Sequence, residues 1–220
     1  MIEIKNLMKK FQNETEIDYR DLTFESGKSY MLLGASGCGK STLLNIIAGI
    51  LSPTSGRVLI DGRDMTAASG SERDKFRIEK IGYIFQDFKL IEEMTVADNV
   101  GILRLEGVDV SGMDEMLDTL GILEKKNSKI KHLSGGQQQR VAIARALVKK
   151  PEIILADEPT GNLNFSIGEQ VIGELCRVSQ GKTLIAVTHD DRLPQYFDTV
   201  IDMNAVTEGM RDSESGKDGE

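Results

Sequence analysis

Apolar and polar residues alternate in three segments of the chain, which is the pattern of strands with one buried face. These segments are MIEIKNL, EIDYRDLTF and GRVLIDG, which begin at residues 1, 16 and 56. A second group of short, nearly continuous apolar runs is typical of strands that are covered on both faces. This group comprises SYMLL, IGYIF, EIILA and TLIAVTH, which begin at residues 29, 81, 152 and 183.

Helical periodicity fills most of the intervals between these runs. Apolar residues recur at helical spacing in KSTLLNIIAGIL, VAIARALV and SIGEQVIGELCRVS, which begin at residues 40, 141 and 166. Strands that alternate with helices indicate a parallel sheet with helices on both faces. The pattern therefore predicts an α/β core, with the alternating N-terminal strands forming an antiparallel β subdomain.

Residues 87–133 depart from this rhythm. TVADNVGILRL and SGMDEMLDTLGIL are helical in pattern, and no strand separates them. The second segment places Met113, Met116, Leu117 and Leu120 on one face, and Ser111 stands where an N-cap residue is expected. We interpret this stretch as a helical subdomain inserted into the core.

Composition narrows the class of protein. The 220 residues are 40% hydrophobic and 28% charged, as in an ordinary globular domain. We expect a cytoplasmic protein, because no apolar run approaches the roughly 20 residues of a membrane span and the alternating N-terminus lacks a signal-peptide block. The two cysteines lack metal-site spacing, and the net charge of −8 argues against nucleic acid as a partner. The acidic end, residues 205–220, is expected to be disordered.

The segment GASGCGKS, residues Gly34–Ser41, matches the G-x-x-x-x-G-K-[ST] pattern between a predicted strand and a predicted helix. Gly37 and Gly39 permit a backbone whose N–H groups point at phosphate oxygens, and the helix adds its positive end. Lys40 reaches the β- and γ-phosphates, and the Ser41 hydroxyl is a ligand for Mg²⁺. The segment therefore predicts a triphosphate site. A glycine-rich turn is the plainer alternative, and the loop alone does not separate a kinase, a GTPase and a motor.

Two further segments bear on that choice. EIILADEPT ends an apolar run with Asp157 and Glu158, which are suited to hold the Mg²⁺ shell and to accept a proton from an attacking water, although such a pair is also common at solvated strand ends. LSGGQQQRVAIARAL places Ser134, Gly135 and Gly136 directly before a helix, where N–H groups and a hydroxyl are offered to an anion, or where the chain simply turns.

With these motifs the chain resembles the ATP-binding-cassette (ABC) ATPases over nearly its whole length, from Met1 to about Met203. The motifs occur in the order of that family: phosphate loop, Gln86, the signature Leu133–Gln137, Asp157–Glu158 and His189. The resemblance implies a P-loop NTPase fold with a mixed sheet flanked by helices. It implies one ABC ATPase domain over 1–220, with a RecA-like core and antiparallel β subdomain in 1–86 and 134–204, a helical subdomain in 87–133, and the tail in 205–220.

The resemblance also assigns roles to particular residues. Glu158, His189 and Gln86 are implied as catalytic, His189 as the switch that contacts the γ-phosphate, and Mg²⁺ is implied at Ser41, Gln86 and Asp157. By pattern alone, Gln86 is more often a surface residue at a strand end, and His189 is more often a polar strand terminus. Phe11 stands where the family stacks an aromatic ring on adenine, or it belongs to the core. The implied ATP-binding residues are Phe11, Gly34, Ala35, Ser36, Gly37, Cys38, Gly39, Lys40, Ser41, Thr42, Ser134, Gly135, Gly136 and Gln137.

One residue departs from the family pattern. Asn164, in PTGNLN, stands where relatives usually carry aspartate, in a loop that communicates between the two subunits of the dimer. The substitution retains a hydrogen-bond acceptor and removes a charge, so the strength of coupling between the two ATP sites is open. His132, one residue before the signature, matches no functional position and is expected at the surface.

The segments FQDFKLIEEMTVADNV and DEPTGNL look like those of the ATPases of macrolide exporters, lipoprotein-release systems and the bacterial cell-division complex. This likeness implies a subunit that forms a homodimer on binding ATP, lies on the cytoplasmic face of the cell membrane and works with an integral membrane permease of four helices and an extracytoplasmic domain. An ATP-driven regulator of a cell-wall hydrolase or sensor is the alternative. The permease would dock near Phe88, Leu90, Ile91, Met94 and Val96, or at least some of these residues pack the core of the helical subdomain.

Overall fold

The computed structural model describes residues 1–12 and 15–208. Its strands are Ile2–Lys10 (β1), Glu16–Tyr19 (β2), Leu22–Phe24 (β3), Ser29–Leu33 (β4), Ser55–Ile60 (β5), Arg63–Asp64 (β6), Ile81–Ile84 (β7), Ile153–Asp157 (β8), Thr183–Thr188 (β9), Thr199–Asp202 (β10) and Thr207–Glu208 (β11). Its α-helices are Lys40–Ile47 (α1), Gly70–Lys80 (α2), Val96–Gly101 (α3), Met113–Thr119 (α4), Gly135–Leu147 (α5), Phe165–Val178 (α6) and Met203–Val206 (α7). Short 3₁₀ helices cover Ile102–Glu106, Leu123–Lys125, Ile130–His132 and Pro194–Tyr196.

The strands form two sheets. The first is entirely parallel, in the order β10-β4-β9-β8-β7. In its register Leu33 pairs with Thr188 and Asp157 pairs with Val187, so β4, β8 and β9 end at the same edge. Ligands of open α/β sheets bind outside the carboxyl ends of the strands. The register therefore brings the segments after β4, β8 and β9 to one place.

The second sheet is antiparallel and is built around β1, which pairs with β2, β3 and β5. β6 and β11 extend it at its two sides. The long alternating segment predicted at residues 16–24 is divided into β2 and β3, both of which pair with β1. The predicted antiparallel β subdomain is thus a sheet of its own, and the α/β fold class is confirmed.

The parallel sheet separates two apolar cores. Neighbouring residues of a strand point to opposite faces, so Met31 lies in one core and Tyr30 and Leu32 lie in the other. The first core contains the apolar faces of α3 to α6, and the second contains α1 and the antiparallel sheet. Because both faces are covered, β4, β7, β8 and β9 consist mainly of buried apolar residues, as the continuous runs predicted, whereas the edge strand β10 is largely exposed.

Residues 87–133 are helical, with an isolated bridge between Thr95 and Lys129 as their only strand-like pairing. Met113, Leu117 and Leu120 are buried, and Met116 packs beside them, so the predicted apolar face of α4 is confirmed. The expected cap at Ser111 is wrong: α4 begins after Gly112, with no side-chain cap. The Ser111 hydroxyl and N–H both donate to the Asp109 carboxylate, at 3.0 and 2.8 Å, and the N-cap position falls one residue later, at Gly112.

Two segments differ from the sequence expectations. α2 was not predicted, because it has no buried residue and therefore no apolar stripe, although Ser69 and Glu72 form a capping box that marks its start. Residues 205–208, which were assigned to the tail, complete α7 and form β11, which pairs with β2. Val206 is buried in the second core. The rest of the predicted tail, 209–220, lies outside the described residues.

Within residues 1–12 and 15–208, no helix combines the length and the apolar character that a bilayer span requires.

Candidate functional site

The loop that joins β4 to α1 is bent by glycines. Gly37 and Gly39 have φ values of 83° and 94°, in the left-handed region that favours glycine. Gly39 is the N-cap of α1, and no side chain caps this helix. The first N–H groups of a helix need partners, and a phosphate group supplies them.

Lys40 is the first residue of α1 and is buried, with 6% of its surface exposed. Its Nζ donates to the carbonyl oxygens of Gly34 at 2.7 Å and Ala35 at 2.8 Å. The carbonyl groups of the loop thus surround the Lys40 ammonium, which places a positive charge next to the backbone that would face a phosphate.

A cavity of about 380 Å³ opens over this loop. It is lined by Ser36, Gly37, Gly39, Lys40, Ser41, Thr42, Gln86, Glu158 and His189. Residues from four separate parts of the chain therefore meet at the carboxyl edge of the parallel sheet. The volume lies within the range of small-molecule sites.

Several predicted site residues lie outside this lining. Gly34 and Ala35 contribute carbonyl groups to Lys40. Cys38 packs against the second core, and its Sγ lies 2.8 Å from where a Cβ on Gly34 would stand. Phe11 is half-buried against the same core, with the Lys9 ammonium 5.7 Å above its ring, so its stacking on adenine stays a prediction.

Asp157, the last residue of β8, accepts a hydrogen bond of 2.7 Å from the Ser41 hydroxyl. Burial raises the pKa of the Asp157 carboxyl, the Ser41 hydrogen bond opposes this, and the neighbouring Glu158 charge adds to it. A carboxylate, a hydroxyl and the Gln86 amide oxygen are hard oxygen donors of the kind that Mg²⁺ takes. A bound cation would also relieve the cost of keeping Asp157 ionised. This donor set fits Mg²⁺.

Glu158 has a φ of 44°, which is unusual for a residue with a side chain. Backbone hydrogen bonds of 3.0 Å to Val187 and from Gly161 hold it there. Its Oε2 lies 2.9 Å from Nδ1 of His189, a side chain that is 66% exposed. Strain of about 1–3 kcal/mol per residue concentrates at functional sites. The backbone therefore aims this carboxylate into the cavity.

Gln86 follows β7, and its carbonyl accepts a hydrogen bond of 2.9 Å from the Asn162 amide. The next turn contains Phe88 and Lys89 with φ values of 57° and 48°. The Arg145 guanidinium donates to the carbonyls of both residues, at 2.6 and 2.5 Å. The sequence analysis missed Asn162 and Arg145. The only sequence signal for Arg145 is a charge in an otherwise apolar stretch of α5.

The signature segment lies outside the cavity. Ser134 is the N-cap of α5, and it forms a capping box with Gln137 through hydrogen bonds of 2.9 and 3.4 Å. Gly136 is buried, and a Cβ there would lie 2.7 Å from the Ile167 side chain. Within one chain the structure therefore does not bring the signature to the phosphate loop.

Asn164 is the N-cap of α6, and its side chain accepts a hydrogen bond of 3.1 Å from the Ile167 N–H. The cap is thus retained without the aspartate charge. His132 is exposed, as expected. Of the proposed docking residues, Val96 is fully buried, Phe88 and Leu90 are half-buried, and Ile91 and Met94 are 42% and 39% exposed.

A parallel sheet with a glycine-rich loop before α1 and a strand-end carboxylate hydrogen-bonded to that loop defines a P-loop nucleoside triphosphatase. The family described as "ABC transporter" matches residues 17–161. The chain belongs to this family.

Similar proteins cover almost the whole chain. The lipoprotein-releasing system ATP-binding protein LolD of Syntrophotalea carbinolica is 39% identical, over 92% of this chain and 94% of its own. An uncharacterized ABC transporter ATP-binding protein of Methanocaldococcus jannaschii, MJ1508, is 42% identical, over 91% of this chain and 94% of its own. The dimeric bacterial ABC transporter cassette MJ0796 is similar in structure, with a TM-score of 0.82 and 36% identity, over 96% of this chain and 99% of its own. A dimeric post-hydrolysis state of MJ0796, bound to ADP and Pi, has a TM-score of 0.81 and 35% identity, over the same shares of the two chains.

Proposed function

We propose that this chain is the Mg²⁺-dependent ATPase subunit of a membrane transport or mechanotransmission system. Two copies close around two ATP molecules and drive a conformational change in a partner permease. The observation that carries the proposal is the meeting of the phosphate loop, Gln86 and Glu158 in one cavity, with Asp157 hydrogen-bonded to Ser41 of that loop. The ABC family, to which the chain belongs, supports ATP as the ligand.

The residues divide the work of hydrolysis among them. The backbone of the phosphate loop and Lys40 bind the phosphates, and Ser41, Asp157 and Gln86 would hold Mg²⁺, which would supply charge neutralisation when bound. Glu158 orients the attacking water and accepts its proton. His189, 2.9 Å from Glu158, holds that carboxylate in position.

Dimerisation is proposed because the signature segment has no role in the cavity of its own chain. The exposed Ser134 and Gly135 lie outside that cavity and are available to a second copy. The structural likeness to a dimeric cassette supports the same arrangement. In the closed dimer each signature segment completes the phosphate site of the other subunit.

The permease is proposed to be of the type with four membrane helices and an extracytoplasmic domain, as in lipoprotein release. The likeness to a lipoprotein-releasing ATPase supports this choice. Ile91 and Met94 are exposed apolar residues shortly after Gln86, and they are the proposed contact with the permease. The subunit would then lie on the cytoplasmic face of the cell membrane.

Glu158→Gln tests the proposal. The change removes the proton-accepting carboxylate and keeps its shape, so we expect ATP turnover to fall about 10²- to 10⁴-fold while equilibrium titration shows ATP binding intact. Size-exclusion chromatography is expected to show a dimer with ATP and a monomer without it. Turnover near the unmodified rate would contradict the role of Glu158, and a monomer under both conditions would contradict the dimer.

The same variant serves as bait for the permease. Tagged Glu158→Gln is expected to retain a four-helix membrane protein from detergent-solubilised membranes of the host. Ile91→Asp in this background is expected to lose that protein while circular dichroism and ATP binding stay unchanged. Retention of the permease by the doubly substituted chain would exclude the Ile91 surface as the contact.

A further inference from the structure

Tyr19, in β2, is a buried tyrosine that the sequence analysis treated only as part of an alternating strand. It is 3% exposed, and its ring belongs to the second core. Its backbone is paired on both sides, with Leu7 of β1 and with Thr207 of β11. The side chain therefore projects from a rigid part of the antiparallel sheet.

The Tyr19 hydroxyl reaches the phosphate loop. It donates a hydrogen bond of 2.9 Å to the carbonyl of Gly39, which also accepts the Leu43 N–H of α1 at 2.9 Å. The buried phenol thus contacts a residue that lines the cavity, Gly39.

The hydroxyl also occupies the space that a side chain at position 39 would need. A Cβ on Gly39 would lie 2.8 Å from the Tyr19 oxygen and 3.0 Å from Ile17. Gly39 itself has no side chain to restrain it, and glycine is the residue with the widest backbone freedom. The contact from β2 therefore supplies the restraint that the N-cap of α1 lacks.

We propose that Tyr19 is a positioning residue for nucleotide binding: its hydroxyl holds Gly39 in the geometry that receives the phosphates. The inference rests on the proposed ATP site. Tyr19 lies outside the cavity lining, so it acts through the loop. It links the antiparallel sheet, including the C-terminal strand β11, to the end of α1 that faces the nucleotide.

Tyr19→Phe tests the inference, with Tyr30→Phe as the matched control. Tyr30 is also buried in the second core, 5% exposed, and its hydroxyl also makes a hydrogen bond to the backbone, accepting the Glu25 N–H at 2.7 Å. Both variants lose one phenolic oxygen from the same core. Thermal unfolding is expected to show similar decreases in Tm for the two.

Nucleotide affinity separates the two variants. For Tyr19→Phe we expect the Kd of ATP and of ADP to rise about tenfold, which corresponds to about 1.4 kcal/mol. The KM for ATP rises with it, and kcat at saturating ATP stays within about twofold, because uniform binding is lost and the hydrolytic groups are untouched. Tyr30→Phe is expected to bind as the unmodified chain does.

Equal Kd values for the Tyr19→Phe and Tyr30→Phe variants would overturn the role of Tyr19 and leave the ATP site standing. Failure of the unmodified chain to bind ATP would overturn both the ATP site and the role of Tyr19.

Discussion

Two helices of this protein begin with glycine-rich segments, and their N-termini differ in whether a side chain caps them. α1 begins after Gly39, in the left-handed region, and no side chain caps it. α5 begins after Ser134, in extended backbone, and its first turn is closed by the capping box with Gln137.

The glycines have different purposes at the two places. In the phosphate loop they permit positive φ values, so the loop can wrap an anion. In the signature segment the helical Gly136 permits close packing against Ile167 of α6. The N-terminus of α1 leaves its N–H groups free for a ligand that binds in the cavity of the same chain. The N-terminus of α5 is capped by its own side chains and needs no ligand there, which agrees with a surface that contacts another subunit.

The largest expected effect is a loss of ATP affinity when only the N-terminus of α1, in the phosphate loop, is altered. Lys40→Ala removes the buried ammonium, and we expect the ATP affinity of the monomer to fall about 10- to 100-fold, the worth of hydrogen bonds to charged groups. Ser134→Ala at the same low concentration is expected to leave that affinity within about twofold and to cost about 1 kcal/mol of stability through the lost cap. Isothermal titration and thermal unfolding measure the two effects. Equal losses of affinity would show that the two termini do not differ as described.

A smaller effect is expected from the charge beside the phosphate loop. Because burial raises the pKa of Asp157, the folded chain binds that proton more tightly than the unfolded chain does. The associated stability is present below the ordinary pKa of aspartate and is lost as the pH rises through the folded pKa. Asp157→Asn cannot ionise, so we expect it to raise the Tm of the nucleotide-free protein at pH 7 by a few degrees, reduced by partial exposure of the site.

The pH dependence provides the control for this variant. The difference in Tm between Asp157→Asn and the unmodified chain is expected to shrink as the pH is lowered from 7 towards the acid range. ATP hydrolysis by the variant is expected to be lost at every pH, since a ligand of the proposed Mg²⁺ site is weakened. A Tm difference that is constant with pH would assign the effect to packing.

The smallest effect concerns a third helix N-terminus, that of α6. Asn164→Asp keeps the cap hydrogen bond to Ile167 and adds a negative charge at the helix start, which is worth about 0.3–1 kcal/mol at low ionic strength. We expect a small rise in Tm that disappears at high salt. Asn164→Ala, the control, is expected to lower stability by about 1 kcal/mol through loss of the cap. A decrease in Tm for Asn164→Asp would contradict the expected stabilisation by the helix dipole.

Elements with a strong apolar period were predicted well, and features that leave no apolar period were not. The continuous runs predicted β4, β7, β8 and β9 nearly to the residue. α2 was not predicted because a helix without buried residues has no apolar stripe to detect. Ser111 was predicted as a cap, but α4 begins one residue later, after Gly112, and the Ser111 hydroxyl hydrogen-bonds to the Asp109 carboxylate.

The residues of the candidate site likewise fall into those that a local pattern predicts and those that it does not. Gly34–Ser41 is recognisable because the pattern, the strand and the helix are contiguous in the chain. Gln86, Glu158 and His189 follow three different strands, and only resemblance to a family joined them to the loop. No motif assigns a role to Arg145, Asn162 or Tyr19, and their contacts depend on which strands and helices become neighbours.

The sequence by itself therefore determined the α/β core, the inserted helical subdomain and the phosphate loop, because hydrophobic period and turn chemistry act over a few residues. Only the tertiary structure decided that Asp157 hydrogen-bonds to Ser41, that Glu158 is held at positive φ beside His189, and that a tyrosine from the antiparallel sheet restrains Gly39. These contacts join residues that are 20 to 116 positions apart, as with Tyr19–Gly39 and Ser41–Asp157. Parallel register and the packing of two sheets bring such residues together. Neither of these can be inferred from a short segment of the chain.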